Sequence, residues 1–211
     1  MLMVADEVIC GFGRTGNWWG SQTFDVEPDI VTCAKALSSS YLPISAVLIK
    51  EPMFEAFQKN SEKLGIFGHG FTYTAHPACA AAAVRTLELM HERDLVGHAQ
   101  TVSPRFLQRL HSYADHPLIG ETRGVGLVGA VELSADKANR KPMDPALKMG
   151  AKLAAAVGEQ GLIVRPVPGE SLAFCPPLII SEKEIDDMFD RFEAGLEKFT
   201  QEHGSQAAAA E

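Results

Sequence analysis

The chain opens on an unbroken apolar run, Met1-Leu2-Met3-Val4-Ala5, which meets an acidic pair, Asp6-Glu7, with no turn residue before it. A strand with one wet face alternates apolar and polar residues. A run that is apolar at every position needs cover on both faces, as a central strand of a parallel sheet has. Two more short apolar runs follow, Asp29-Ile30-Val31-Thr32-Cys33-Ala34 and, entered through Pro43, Ile44-Ser45-Ala46-Val47-Leu48-Ile49. Three such strands place the chain in the α/β class and leave its sheet short of the usual ~5–6 strands. Because the chain starts inside a strand, a further N-terminal portion is expected to precede it in the complete polypeptide.

Helical signals come next. The run Ala80-Ala81-Ala82-Ala83, with Val84, Leu87 and Leu89-Met90 on an apolar face, predicts a helix from about Pro77 to Arg93. Another is expected after Pro104, carrying Phe106, Leu107 and Leu110. Past Asp115-His116-Pro117 the pattern changes. Gly124 to Leu133 is strand-like and glycine-rich, Asp136 to Lys141 is a charged turn, and Leu147 to Gln160 is helical and closed by Gly161. Leu162–Arg165 and Leu172–Phe174 predict a hairpin around Pro168-Gly169. Ser181 and Glu184 have capping-box spacing, ahead of an apolar stripe of Ile185, Met188, Phe189, Phe192, Leu196 and Phe199. The polar, alanine-rich tail from Thr200 is expected to fray. The expected boundary is near residue 103: an incomplete α/β domain over 1–102 and a small α+β domain over 103–211.

A net charge of −8 gives no electrostatic case for nucleic acid or an anionic membrane. No apolar run approaches the ~20 residues of a membrane span. The start lacks a basic leader, so no signal peptide is expected. The cysteines, Cys10, Cys33, Cys79 and Cys175, are scattered and lack metal-ligand spacing, which predicts buried, reduced thiols in a cytoplasmic protein. His69 and His76 also lack ligand spacing and are expected to be hydrogen-bonding loop residues.

Gly11-Phe12-Gly13-Arg14-Thr15-Gly16 matches the GxGxxG pattern. A dinucleotide fingerprint needs a helix directly after it, and Asn17-Trp18-Trp19-Gly20 is a poor helix start. The segment is expected to be a flexible surface turn or an active-site loop.

Two residues offer chemistry at strand ends. Lys35, the only lysine in the first 49 residues, sits in the apolar setting Val31-Thr32-Cys33-Ala34-Lys35-Ala36-Leu37. Such a lysine pairs, snorkels to water, or loses its proton and becomes a nucleophile for carbonyl carbon. Asp6 ends the first strand, where it caps a turn or holds a cationic group. Local context leaves both readings of both residues open.

The ordered motifs narrow the choice. Asp6-Glu7-Val8-Ile9-Cys10-Gly11-Phe12-Gly13-Arg14-Thr15-Gly16 resembles the DE-x-x-x-GFGRTG segment of class III aminotransferases. Pro28–Ser39 resembles their PD-x-x-x-x-AK-x-L-S-S segment, and His69–Pro77 is similar to their HGFTYSGHP. Arg123-Gly124-Val125-Gly126-Leu127 resembles RG-x-G-[LM], and Arg165 followed by Cys175-Pro176-Pro177-Leu178-Ile179-Ile180 is similar to their arginine before S-PPLII. The likeness runs from about residue 2 to 200. Leu37–Ile44 and Gly120–Gly124 resemble in particular the branch acting on ω-amino acids or amines with pyruvate.

This resemblance implies a fold-type I pyridoxal-phosphate-dependent transferase, with part of the large domain followed by a small C-terminal α+β domain. It implies pyridoxal 5'-phosphate as cofactor, held by Lys35, which also moves the proton between substrate carbon and cofactor. It implies that Asp6 keeps the pyridine nitrogen protonated and that Val8 packs on the ring face. Thr72 matches the threonine that binds the phosphate of the neighbouring subunit's cofactor. Arg165 matches the mobile arginine that takes the substrate carboxylate. The implied partners are an amine or ω-amino acid donor, resembling 4-aminobutyrate, an α-keto acid acceptor, and a second copy in a homodimer or an assembly of dimers. Ala75 and Ser45 stand where the family usually has glycine. The family's phosphate-cradling loop and ring-stacking aromatic lie in an N-terminal half that nothing in this chain matches. An aminomutase, decarboxylase or racemase on the same scaffold, or an inert truncated fragment, are the competing expectations.

Overall fold

The computed structural model describes residues 1–208, with side chains as far as residue 203. The chain divides into two compact units, one from Met1 to Gly97 and one from His98 onward.

The first unit is built on a three-stranded sheet of β1 (Val4–Asp6), β2 (Ile30–Cys33) and β3 (Ala46–Ile49), in that order. β1 and β2 are parallel, with Val4 opposite Ile30 and Asp6 opposite Thr32, whereas β2 and β3 are antiparallel. Asp29 ties the strand starts together, since its carboxylate accepts the Met3 amide at 2.8 Å and lies 3.5 Å from the Lys50 ammonium. That amide bond, followed by the lysine, holds the Asp29 carboxyl below the usual carboxylate range. The run expected to be covered on both faces is not covered here. β1 lies at the sheet edge and Val4 is 56% exposed. Between the parallel strands, residues 8–15 form a series of turns that lead into α1 (Gly20–Thr23), a helix of only four residues. That is too short to be the helix of a dinucleotide fingerprint.

Two longer helices complete the unit. α3 (Pro77–Glu92) falls where the alanine run predicts it, with proline in its first turn. α2 (Glu51–Leu64) has no counterpart in the sequence reading, because Lys and Glu dilute its apolar positions. Phe54, Phe57 and Leu64 on it are all exposed.

α4 (Leu95–His111) leads into the second unit and departs from the expectation of a helix starting after Pro104. Pro104 lies inside this continuous helix. Ala99, Val102, Phe106 and Leu110 form one buried stripe through it, and that packing outweighs the amide that proline lacks. β4 (Ile119–Val125) and β5 (Val128–Asp136) are a hairpin rather than one glycine-rich strand. The turn is at Gly126-Leu127, with Gly126 at φ 57°. The glycines make room for α4: a Cβ on Gly129 would stand 2.4 Å from a Leu110 methyl and one on Gly124 2.9 Å from Leu107. β6 (Lys141–Pro142), β7 (Arg165–Val167) and β8 (Ser171–Phe174) complete an antiparallel sheet in which β8 joins β5 to β7.

α5 (Met149–Glu159) and α6 (Glu182–Ala208) cover it. The capping box forms as the spacing predicts: the Ser181 amide donates to Glu184 at 2.8 Å and the Glu184 amide to the Ser181 hydroxyl at 3.3 Å. Ile185, Phe189, Phe192, Leu196 and Phe199 are fully or almost fully buried. Phe189 stacks at 5.6 Å on Phe106 and 5.4 Å on Phe174, and the Tyr113 hydroxyl donates to the Phe189 carbonyl at 2.9 Å. Asp186 and Asp190 hold Arg105 and Arg109 of α4 across this contact. α6 runs past Thr200 to Ala208, and the Thr200 hydroxyl donates to the Leu196 carbonyl at 2.7 Å. Residues 209–211 lie outside the described residues.

The cysteine expectation is also corrected. None of the four cysteines is in a disulfide, but only Cys33 is buried; Cys10 and Cys79 are half-buried and Cys175, just past the end of β8, is exposed. Among the described residues no helix is long and apolar enough to cross a membrane, and no cluster of three or more His, Cys, Asp or Glu could hold a metal.

Two stability predictions follow from this packing. A Cβ on Gly195 would lie 2.6 Å from the Val157 Cα, where α6 crosses α5. Gly195→Ala forces the helices apart and lowers stability by about 1–3 kcal/mol, read by urea unfolding followed by circular dichroism. Burial, then the nearby Lys137, pushes the His116 imidazole below its ordinary value of 6.5, and its Nδ1 accepts the Leu118 amide at 3.2 Å. Its folded value lies below its unfolded one, so its contribution is complete above 6.5 and is lost as the pH falls through the folded value. Stability therefore falls on acidification below 6.5, and His116→Asn flattens that slope in unfolding curves taken at each pH.

Candidate active site

Parallel pairing decides which groups share an edge. With Asp6 opposite Thr32, the carboxyl ends of β1 and β2 lie side by side. Lys35 follows Thr32 by three residues, a reach of at most ~10 Å. The crevice beyond the carboxyl ends of parallel strands is where α/β folds carry ligand groups.

Asp6 is exposed and oriented. Its Oδ1 accepts the Val8 amide at 3.1 Å and the Thr32 hydroxyl at 3.3 Å. Its Oδ2 has no hydrogen-bond partner among the described residues. Val8 is half-buried beside it, because the amide that holds the carboxylate is its own.

Lys35 begins a 3-10 turn, Lys35–Ser38, and stands at φ 45°, a left-handed conformation that costs a non-glycine residue ~1–2 kcal/mol. The turn is locked around it. The Lys35 carbonyl accepts the Ser40 amide at 3.1 Å, and the buried Ser38 hydroxyl donates to the Leu42 carbonyl at 2.7 Å. The Lys35 side chain is exposed, and its amine has no ion-pair or hydrogen-bond partner among the described residues. Just before it, burial, opposed by a backbone bond from Ala46 and aided by the charge of Glu7, pushes the Cys33 thiol up.

Thr72 lies in the turn at residues 72–75 ahead of α3 and is exposed, with its hydroxyl unbonded among the described residues. The turn is held by the Thr74 hydroxyl, which accepts the Phe71 amide at 3.0 Å. His69 and His76 differ from the expectation. Their amides are bonded, but their rings meet aromatic neighbours: His69 lies 5.9 Å from Phe67 and 5.5 Å from Phe71, and His76 lies 6.3 Å from Tyr73. Arg165 belongs to the second unit. It is exposed on the edge strand β7, opposite Ala173, and its guanidinium is unpaired among the described residues.

The donor set suits pyridoxal phosphate. A carboxylate with one oxygen to spare suits a protonated ring nitrogen, a partnerless primary amine suits a carbonyl carbon, and a threonine hydroxyl suits a phosphate oxygen. The β1–β2 register brings the Asp6 and Lys35 ends of those strands side by side, and Thr72 lies in a separate loop of the same unit. Glu7, a buried carboxylate beside Asp6, has no role in the sequence reading, although it directly follows the strand-end aspartate and precedes the glycine-rich segment.

Comparison with known proteins agrees with this chemistry. A family model described as aminotransferase class-III matches residues 1–196. An uncharacterized aminotransferase of Sinorhizobium fredii is 44% identical over 89% of this chain and 41% of its own length. The chloroplastic gamma aminobutyrate transaminase 3 of Solanum lycopersicum is 40% identical over 93% of this chain and 38% of its own. The crystal structure of the omega transaminase from Pseudomonas jessenii in complex with PMP superposes with a TM-score of 0.93 at 45% identity, covering 97% of this chain and 45% of that one. The chain thus spans less than half the length of each.

The positive φ of Ala75, 55°, generates a prediction. Glycine takes that conformation without a Cβ clash. Ala75→Gly raises stability by about 0.5–1 kcal/mol and Ala75→Val lowers it, as read from urea midpoints.

Proposed function

This chain belongs to the class III aminotransferases, a pyridoxal-phosphate-dependent family of fold-type I, and on that premise we propose that it carries the lysine side of a transaminase site. The reaction is transfer of an amino group from an ω-amino acid or amine, with 4-aminobutyrate as the type of donor, to pyruvate. The observation that carries the reading is the pairing of Asp6 with Thr32, which puts a half-free carboxylate and a partnerless lysine at the same sheet edge.

When bound, the cofactor supplies an electron sink that stabilises negative charge on the substrate carbon. Asp6 Oδ2 accepts the proton-bearing ring nitrogen, with Oδ1 held by Val8 and Thr32. Lys35 Nζ would hold the cofactor through its carbonyl carbon and, as a free amine, would carry a proton from the substrate carbon to the cofactor. The left-handed backbone at Lys35 fixes where that amine starts. Val8 packs on the ring face. Thr72 donates its hydroxyl to a phosphate oxygen of a neighbouring copy's cofactor. Arg165 takes the substrate carboxylate in a two-pronged contact.

Residues 1–102 are then part of the cofactor-binding large domain and residues 103–211 the small domain of a cytoplasmic homodimer. The likeness of Leu37–Ile44 and Gly120–Gly124 to the pyruvate branch supports that acceptor, and the likeness to the tomato gamma aminobutyrate transaminase supports the donor class. Exposed Val47, Phe54, Phe57, Leu64 and Phe67 favour a chain that works in contact with further protein surface, since apolar areas of this kind mark contact sites.

Borohydride trapping tests the assignment. Ten lysines compete in the chain. Reduction in the presence of pyridoxal 5'-phosphate labels Lys35 ahead of the other nine, as read by peptide mass spectrometry, and 4-aminobutyrate added beforehand suppresses that label by drawing the cofactor to its amine form. Uniform labelling sinks the lysine assignment. Labelling at Lys35 that the amine leaves untouched sinks the transaminase reading.

A further inference from the structure

The roles above leave Glu7 unused, although it is the most completely engaged side chain near the site. It is 2% exposed, and its carboxylate accepts the Gly20 amide at 2.8 Å on Oε2 and the Ser21 amide at 2.6 Å on Oε1. These are the first two N–H groups of α1, donors that no intrahelical carbonyl can satisfy. The backbone of Glu7 is also tied at both ends. Its amide donates to the Thr32 carbonyl at 2.8 Å, carrying the β1–β2 ladder one residue past Asp6, and its carbonyl accepts the Gly11 amide at 2.9 Å. The returning loop closes tightly on the carboxylate: a Cβ on Gly20 would stand 2.7 Å from the Cys10 Cβ and 3.0 Å from Glu7 Oε2.

Side chains alternate along an extended segment, so a buried Glu7 turns Asp6 outward to the exposed edge. Val8, whose amide holds Asp6 Oδ1, is joined directly to Glu7. The direction of that amide depends on the torsions that Glu7's four contacts fix. Without the clamp the Val8 amide swings, Asp6 Oδ1 loses a donor, and Oδ2 no longer has one direction.

We propose that Glu7 is a positioning residue: by clamping α1 it fixes the turn over residues 6–8 so that Asp6 presents Oδ2 to the ring nitrogen of the cofactor. This rests on the reading of Asp6 and Lys35 given above. Glu7→Gln keeps the size but sets an NH2 group against an amide donor, so one of the two bonds becomes a repulsion.

The test uses the full chain carrying the borohydride-trapped phosphopyridoxyl group on Lys35, which removes any dependence on cofactor affinity. The ring nitrogen is titrated by ultraviolet absorbance, while circular dichroism of the same samples reports folding. The original chain holds its ring proton to a higher pH than Asp6→Asn, by about one unit or more, as a facing carboxylate requires. Glu7→Gln moves the midpoint at least half of the way to that of Asp6→Asn. If Glu7→Gln fails to fold, Ser21→Pro reads the same contact from the donor side; it deletes one amide at a first-turn position that accepts proline, and shifts the midpoint in the same direction. A folded Glu7→Gln or Ser21→Pro chain that titrates like the original overturns the proposal, because a role confined to stability does not reach the ring nitrogen. An Asp6→Asn chain that titrates like the original overturns the reading of Asp6, and the proposal with it.

Discussion

The parallel pairing of β1 with β2 is the constraint on which the rest of the candidate site depends. Antiparallel pairing would put the end of β1 at the start of β2 and separate Asp6 from Lys35 by the length of a strand. Parallel strands cannot be joined by a tight turn and need a long crossover. Here the crossover is residues 7–29, and its first and last residues are the ones that fix the pair. Glu7 fastens the far end to α1, and Asp29 fastens the near end to Met3 and Lys50. Between those ties the register leaves little freedom: Thr32 stands opposite Asp6 and lends it a hydroxyl.

Much of this was legible in the residues. The three apolar strands, the helix from Pro77 and the Ser181 capping box are local signals that the fold realises, and the hairpin around Pro168-Gly169 forms with its first strand at Arg165–Val167 rather than Leu162–Arg165. The misses at Pro104 and at the β4–β5 glycines share a physical cause, which is packing against distant chain. Pro104 reads locally as a helix start, but the buried stripe from Ala99 to Leu110 carries α4 through it. Gly124 and Gly129 read as weak strand residues, and only the Leu107 and Leu110 side chains lying over them explain the glycines. α2 escaped notice because its apolar residues face no core within the unit.

At the site, composition and spacing could place Asp6 and Lys35 at strand ends but left each with two readings. Ordered motifs narrowed those readings, and the register added that the two ends belong to neighbouring strands. Ala75 is the converse case. It stands where the family usually has glycine, and the backbone takes φ 55° there. Glu7 shows what a linear reading overlooks. Its worth lies in what Gly20 and Ser21 do when the chain returns, 13 and 14 residues later. The two units also differ in how they use apolar side chains. The second closes Phe106, Phe174, Phe189 and Phe192 into one core, whereas the first leaves Val4, Val47, Phe54, Phe57 and Phe67 facing outward.

A crystal structure of the chain loaded with pyridoxal 5'-phosphate tests the account most directly. It should show continuous density from Lys35 Nζ to the cofactor, with an Asp6 carboxylate oxygen at about 2.6–3.2 Å from the ring nitrogen and Val8 against the ring face. Cofactor density joined to another lysine, or a ring nitrogen facing away from Asp6 while Lys35 is joined, would contradict the claim that this strand register builds the site.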